Sequence, residues 1–190
     1  MMKLFKDNRV VQEPDNIGPK YRACFEHMRG VIMKIGVPME PEGETRVAIV
    51  PGSMKKLMKS GFEVVVQKGA GSNANHSDSE YTDAGATIGN RDDVLSCEIL
   101  ISIRIPDVSE LSKGQIVACV ADPFRHPEKV QACIDGGITL LSMDMIPRRL
   151  SRAQSMDVNS SQDNLAGYKA VLLGASHVSR GIPMMTTSAG

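Results

Sequence analysis

Tryptophan is absent from this chain of 190 residues, and there are only 4 phenylalanines and 3 tyrosines. So few aromatic side chains exclude the stacking platforms on which single-stranded nucleic acids are held. Net charge is missing too: 22 basic residues balance 22 acidic ones, leaving no electrostatic footprint for nucleic acid or an anionic membrane. The 4 cysteines, Cys24, Cys97, Cys119 and Cys133, lie far apart with no Cys-x-x-Cys among them. That spacing argues against both a zinc site and a secreted disulfide framework, and predicts reduced, buried thiols. His27, His76, His126 and His177 are equally scattered, so no metal centre is expected. Nor does any apolar run approach the ~20 residues of a membrane-spanning helix. No direct membrane span is expected, and a place in a membrane machine would need other polypeptide to supply it.

Residues 1–32 carry charges, Pro14 and Pro19, and no sustained period. Their acidic residues and lack of an apolar core fit neither a transit nor a signal peptide. They are expected to be a disordered or weakly helical extension of a domain over residues 33–190, a length that suffices for one domain with a proper core. Within that domain, short apolar runs alternate with helical patterns. Strands are expected over residues 34–38, 62–66, 98–103, 115–120 and 138–142. Helices are expected over 53–60 (capped by Ser53), 78–84, 92–96 and 126–135, the last turning Val130, Cys133 and Ile134 inward. Such alternation builds βαβ units, and hence an α/β fold with an open, flavodoxin-like parallel sheet.

After the last strand comes a long polar stretch, Pro147-Arg148-Arg149-Leu150-Ser151-Arg152-Ala153-Gln154-Ser155-Met156-Asp157-Val158-Asn159-Ser160-Ser161. One reading is a solvated loop that ends in a helix cap, with Ser160 capping and Asp163 as its capping-box partner. The other is a functional loop, since a short connection would have served. A helix of some four turns follows, with Leu165, Tyr168, Val171, Leu172 and Ala175 at helical spacing. A loop between a strand end and a helix is where open α/β sheets place ligands.

This stretch, with Asn164-Leu165-Ala166-Gly167-Tyr168 and Pro183-Met184-Met185-Thr186 after it, closely resembles the first soluble domain of proton-translocating NAD(P) transhydrogenase. The resemblance runs from about Met33 to the last residue. It implies that the loop sits around the nicotinamide of NAD(H), with NADP(H) on a partner domain. Hydride transfer needs no protein nucleophile, only fixed distance and angle. Carried over position by position, Arg149 would donate to the carboxamide oxygen, while Asp157 and Ser160 would bond its amide. Gln154 would contact the second nucleotide. Two departures stand out: Arg148 occupies the place directly after proline while Arg149 keeps the spacing to Gln154, and Asn159 replaces a leucine. The resemblance further implies membrane and NADP(H)-binding partner subunits, a homodimer in the complete enzyme, and a cytoplasmic, peripheral location on the inner membrane. In the family a glycine-rich nucleotide-binding turn begins shortly after the element that Thr187-Ser188-Ala189-Gly190 resembles. The 190-residue chain by itself is therefore expected to be inactive.

Two further motifs bear on the reading. Gly69-Ala70-Gly71-Ser72-Asn73-Ala74 matches the dinucleotide fingerprint in letters, but Asn75-His76-Ser77-Asp78-Ser79-Glu80 follows where a phosphate-binding helix should start. It reads as a tight turn. Arg46, within Glu42-Gly43-Glu44-Thr45-Arg46-Val47-Ala48, is either a surface arginine paired with Glu42 or Glu44, or a clamp for a carboxylate. This element is also similar to the start of alanine dehydrogenases, where the arginine holds substrate with a lysine and a histidine. Here Arg104 and the Asp122-Pro123-Phe124 stretch stand in those places, with His126 nearby. An alanine-dehydrogenase-like oxidoreductase is the alternative, and a non-catalytic dimerisation or docking module is a third.

Overall fold

The computed structural model describes residues 33–179, apart from 148, 150 and 152. The expected disordered extension at 1–32 and the chain end from 180 lie outside the described residues. Six strands, β1 Lys34–Val37, β2 Glu63–Gln67, β3 Thr87–Gly89, β4 Ile99–Ile101, β5 Ile116–Cys119 and β6 Thr139–Ser142, form one sheet. Every neighbouring pair is parallel, in the order β3-β2-β1-β4-β5-β6. All five expected strands are present. Taken alone they run 2-1-3-4-5 across the sheet, the flavodoxin-like order; the short edge strand β3 is the addition. The α/β parallel architecture is thus the one expected.

The described residues hold five helices: α1 Pro51–Lys59, α2 Asp78–Asp83, α3 Arg91–Leu95, α4 Pro127–Asp135 and α5 Val158–His177. Their starts show how local chemistry sets boundaries. Ser53 does not cap α1. Val50 occupies the cap position and Pro51 the first turn, where its fixed φ suits a helix and its missing N–H costs nothing. Helices α2 and α3 open with reciprocal capping boxes, Ser77 with Glu80 and Asn90 with Asp93. In α4, Cys133 points into the core, but Ile134 is 63% exposed, because the helix's next residue falls 100° further round.

Two apolar clusters make the core. One gathers Ile35, Val37, Val47, Ile49, Met54, Val64, Val66 and Tyr81 around β1 and β2. The other gathers Val94, Leu100, Val117 and Ile138 with Cys97, Cys119 and Cys133, buried cysteines in no disulfide, as expected; Cys24 lies outside the described residues. Burial raises the pKa of Cys97 and Cys133, which keeps both thiols protonated and unreactive. Gly36, in the central strand, serves close approach: a Cβ there would lie 2.4 Å from the Val94 carbonyl oxygen and 2.8 Å from Leu100 Cδ2. Only glycine lets α3 settle that near β1.

The chain divides into two units after Ser142. The first holds the sheet and α1 to α4. In the second, a 3-10 turn at Met143–Met145, another at Gln154–Met156 and the 20-residue α5 carry the polar stretch. Asn159, the departure from leucine, makes a polar tether here: its Nδ2 donates to the Asp144 carbonyl at 3.0 Å. Among the described residues no helix is long and apolar enough to cross a membrane.

Candidate functional site

Within the first unit, the chain leaves β1 for β2 and β3 on one side, then returns to β4 on the other. The β1/β4 boundary is therefore the topological switch point, and the crevice at its carboxyl end is where open parallel sheets bind ligands. A cavity of about 390 Å3 lies there, lined by residues that follow β1 (Pro38 to Glu42) and β4 (Ser102, Arg104 to Asp107), together with Arg91. Its donors are largely engaged by the chain's own carboxylates. Glu40 accepts from the backbone N–H groups of Ile103, at 2.5 Å, and Arg104, at 3.1 Å. Arg91 pairs with Glu110. Outside the lining, Arg46 forks onto Glu44, Nε to Oε1 at 2.7 Å and Nη2 to Oε2 at 2.6 Å, while the lining residue Arg104 has its Nε 3.4 Å from the same Oε2. Of the two readings of Arg46, the structure realises the pairing with Glu44.

The two glutamates bear on acid stability with opposite sign. Burial pushes the Glu40 carboxyl up, against the pull of its two backbone donors, so its ionised form is a cost that protonation relieves. The Arg46 hydrogen bonds hold Glu44 down at about 2, so its contribution is present above the unfolded value near 4.5 and lost as pH falls toward 2. The pH dependence of denaturant midpoints should therefore be flat or slightly rising from neutrality to about pH 5, and should fall steeply below about pH 4.5. Glu44→Gln should make the lower limb shallower and Glu40→Gln should remove any rise. A lower limb of unchanged slope in Glu44→Gln would show that this pair contributes nothing.

The glycine turn is internally satisfied. The Gly69 N–H donates to Asp78 Oδ1 at 2.9 Å, and a Cβ on Gly71 would meet the Tyr81 ring at 2.6 Å. These glycines serve a tight turn packed on Tyr81, and a carboxylate sits where a phosphate oxygen would have to bind.

In the second unit, the polar stretch folds around the start of α5. The helix cap is Asp157, not Ser160: Asp157 Oδ1 accepts from the Ser160 N–H at 2.9 Å and Oδ2 from the Ser160 hydroxyl at 2.6 Å. A carboxylate at this end also meets the positive pole of the helix, which a hydroxyl cap three residues later would leave unanswered. Gln154 opens the preceding 3-10 turn. An open cavity of about 630 Å3 is lined by Gln154, Asp157, Ser160, Ser161 and Asn164. Three of the four expected site residues thus share one surface. Arg149 sits in an exposed turn and is not among the described lining residues.

Ser161 and Asn164 join this lining although the sequence motif does not single them out. The signal for them is the spacing 157, 160, 161, 164, one face of a helix that starts at Asp157. The lining is a carboxylate, two hydroxyls and two side-chain amides, with no apolar group among those named. Such a set matches a primary carboxamide, whose NH2 needs acceptors and whose oxygen needs donors.

The chain matches the family model described as "Alanine dehydrogenase/PNT, N-terminal domain" over residues 36–166. It is 40% identical over 169 residues to an NAD(P) transhydrogenase subunit alpha chain of Rhodospirillum rubrum, covering 83% of this chain and 44% of that protein. The crystal structure of transhydrogenase from Sinorhizobium meliloti superposes with a TM-score of 0.75 at 39% identity, covering 83% of this chain and 48% of the other. Alanine dehydrogenase of Bacillus subtilis is more distant, 29% identical over 148 residues, covering 75% of this chain and 38% of that enzyme. The chain spans less than half the length of these relatives. Its nearer likeness is to transhydrogenase alpha subunits, and it belongs to the family of alanine dehydrogenase/PNT N-terminal domains.

Proposed function

We propose that this chain is the N-terminal portion of an NAD(P) transhydrogenase alpha subunit, and that its polar loop holds the carboxamide of NAD(H) for hydride transfer to NADP(H) on a partner domain. The observation that carries the reading is the convergence of Gln154, Asp157 and Ser160 on one cavity, in a chain 40% identical to such a subunit. The nicotinamides supply the chemistry, a hydride passing between two rings. The protein supplies position and field. Asp157 accepts from the carboxamide NH2 and its charge favours the oxidised, cationic ring. The Ser160 hydroxyl shares the same group and Gln154 meets the second nucleotide; Arg149, outside the cavity lining here, would donate to the carboxamide oxygen once the loop brings it there.

The partners in this reading are the membrane and NADP(H)-binding subunits and a second copy of the complete subunit. The location is the cytoplasmic face of the inner membrane, held there by those subunits. The exposed Leu165, Tyr168, Val171 and Leu172 of α5 supply apolar surface for such an assembly. Nothing favours the alanine dehydrogenase alternative to the same degree: Arg46 is held by Glu44, and the enzyme's lysine and histidine have no counterparts in place.

A chimera tests the proposal. Residues 33–179 of this chain replace the matching segment of the Rhodospirillum rubrum subunit, and NADH-to-NADP-analogue hydride transfer is measured with the partner subunits present. Activity within about a hundredfold of the parent is expected, since a misplacement of ~1 Å between the two rings alone costs about that much. A correctly folded chimera that binds NADH and transfers no hydride would overturn it.

A further inference from the structure

The two faces of the sheet are covered unequally. Strand register sets side chains in rows on the face that α1 covers: Ile35, Ile99, Ile116 and Thr139 in one, then Ile101, Ala118 and Leu141. At the β1 end, Ile35 and Val37 are 2% and 0% exposed, in one cluster with Met54 of α1. Ile99 and Ile101 pack against that cluster only in part. Ile116 and Ala118 are half-buried and belong to neither core cluster, and Leu141 is 49% exposed. On the opposite face the row Gly36, Leu100, Val117 and Leu140 carries the second cluster as far as β6. All-parallel sheets are covered on both faces as a rule, so the α1 face lacks its cover over β5 and β6.

A segment of suitable pattern runs straight into β1. Residues 20–29 lie outside the described residues, but their sequence is amphipathic. Tyr21, Cys24, Phe25 and Met28 fall at i, i+3, i+4 and i+7, one face of a helix, while Arg22, Glu26, His27 and Arg29 take the rest of its circumference. Pro19 stands where a helix starts and Gly30 where it stops. This stripe is confined to ten residues, so it sets no period for 1–32 as a whole. Ten helical residues span about 15 Å, close to the ~13 Å of the four-residue strands β5 and β6. The tether also reaches: four residue steps from Arg29 to Met33 cover about 13 Å, against about 7 Å for one and a half strand spacings. A helix over β4 and β5 would lie two spacings, about 10 Å, from α1 over β1 and β2, the separation of packed helices.

We propose that residues 20–29 form a helix that docks through Tyr21, Cys24, Phe25 and Met28 on Ile116, Ala118 and Leu141. The chain's own N-terminal segment thereby closes the second face of its sheet. A tether this short makes the docking intramolecular, so a second copy collected from solution competes poorly for the same face. The inference is independent of the role proposed for the Asp157 loop, since it concerns only the sheet and the segment before it.

Cys24 lies on the stripe and reports on it, whereas Cys97, Cys119 and Cys133 are buried in the core. In the reduced 190-residue chain, a water-soluble maleimide should label Cys24 at least about tenfold more slowly than in urea, because a docked thiol is reached only through local opening. Phe25→Asp and Leu141→Asp, one on each side of the contact, should restore the fast rate. Arg22→Asp, off the stripe, should leave labelling slow. Fast labelling of the wild-type chain would overturn the proposal, as would protection that survives Leu141→Asp. Protection lost on dilution together with a dimer peak would overturn it too, by making a second copy the cover. Should an aspartate variant fail to fold, Leu141→Cys is the milder change: a short bis-maleimide should then join residues 24 and 141 within one chain, and failure to do so would equally sink the idea.

Discussion

In the chimera described above, Asp157→Asn should slow single-turnover hydride transfer by roughly 10- to 1000-fold, the usual loss when one preorganised electrostatic contact to a transition state is removed. The substitution is informative because of where Asp157 sits. It caps α5, accepting from the Ser160 N–H at 2.9 Å. Alanine would remove that cap and cost about 1 kcal/mol of helix stability besides any effect on catalysis. Asparagine is as good a cap, so the helix start and the cavity lined by Gln154, Ser160, Ser161 and Asn164 should survive. What disappears is negative charge beside a ring that becomes cationic as hydride leaves. The rate should therefore fall while the thermal midpoint stays within a few degrees, the shift that about 0.5 kcal/mol produces in a domain of this size. Affinity for NADH should change much less than the rate, since the reduced ring is neutral. An unchanged rate would show that Asp157 serves only its helix.

Much of this arrangement is legible in the sequence, for identifiable reasons. The five expected strands lie in runs of apolar residues bounded by turn residues and separated by helical patterns, the composition that covered strands of a parallel sheet favour. Strand β3 is not legible: Thr87-Ile88-Gly89, at the sheet's edge, holds one large apolar side chain and so gives no apolar run. At α5, residues 157 and 160 both carry side chains that can cap, and each has a possible partner three positions on. The charge of Asp157 against the helix pole decides between them, a cooperative effect that residue preferences do not reveal. The Glu44–Arg46 pair is local and can be read from the sequence. The approach of Arg104 to the same carboxylate cannot, because it depends on β4 lying against β1. Arg149 shows the converse limit. A motif gives its place in the chain, but the loop's path decides whether it reaches the cavity.

The 190-residue chain titrated alone should bind NADH with millimolar or weaker affinity, about 4 kcal/mol or less, and should not catalyse transhydrogenation. A dinucleotide draws much of its affinity from a pyrophosphate on a helix N-terminus and a ribose on an acidic residue. Among the described residues the one glycine-rich pattern of that kind, Gly69 to Ala74, cannot supply the first. Its Gly69 N–H is taken by Asp78, Gly71 is packed against Tyr81, and the 3-10 turn Ser72–Ala74 ends in a left-handed Asn75 instead of running on as a helix. The Asp157 cavity offers hydroxyls, amides and one carboxylate, enough for a carboxamide but carrying no cation among its named lining residues to meet a diphosphate. Both Asp157 oxygens already accept from Ser160, so a nicotinamide would share or displace those bonds, which offsets part of their worth. Because the chain has no tryptophan, NADH fluorescence can be followed without interference, with calorimetric heats as the second readout. Saturation at micromolar NADH would mean that a complete dinucleotide site exists on this chain; the linear, unsaturated response expected through the submillimolar range would leave the carboxamide as the one portion of the cofactor this domain recognises.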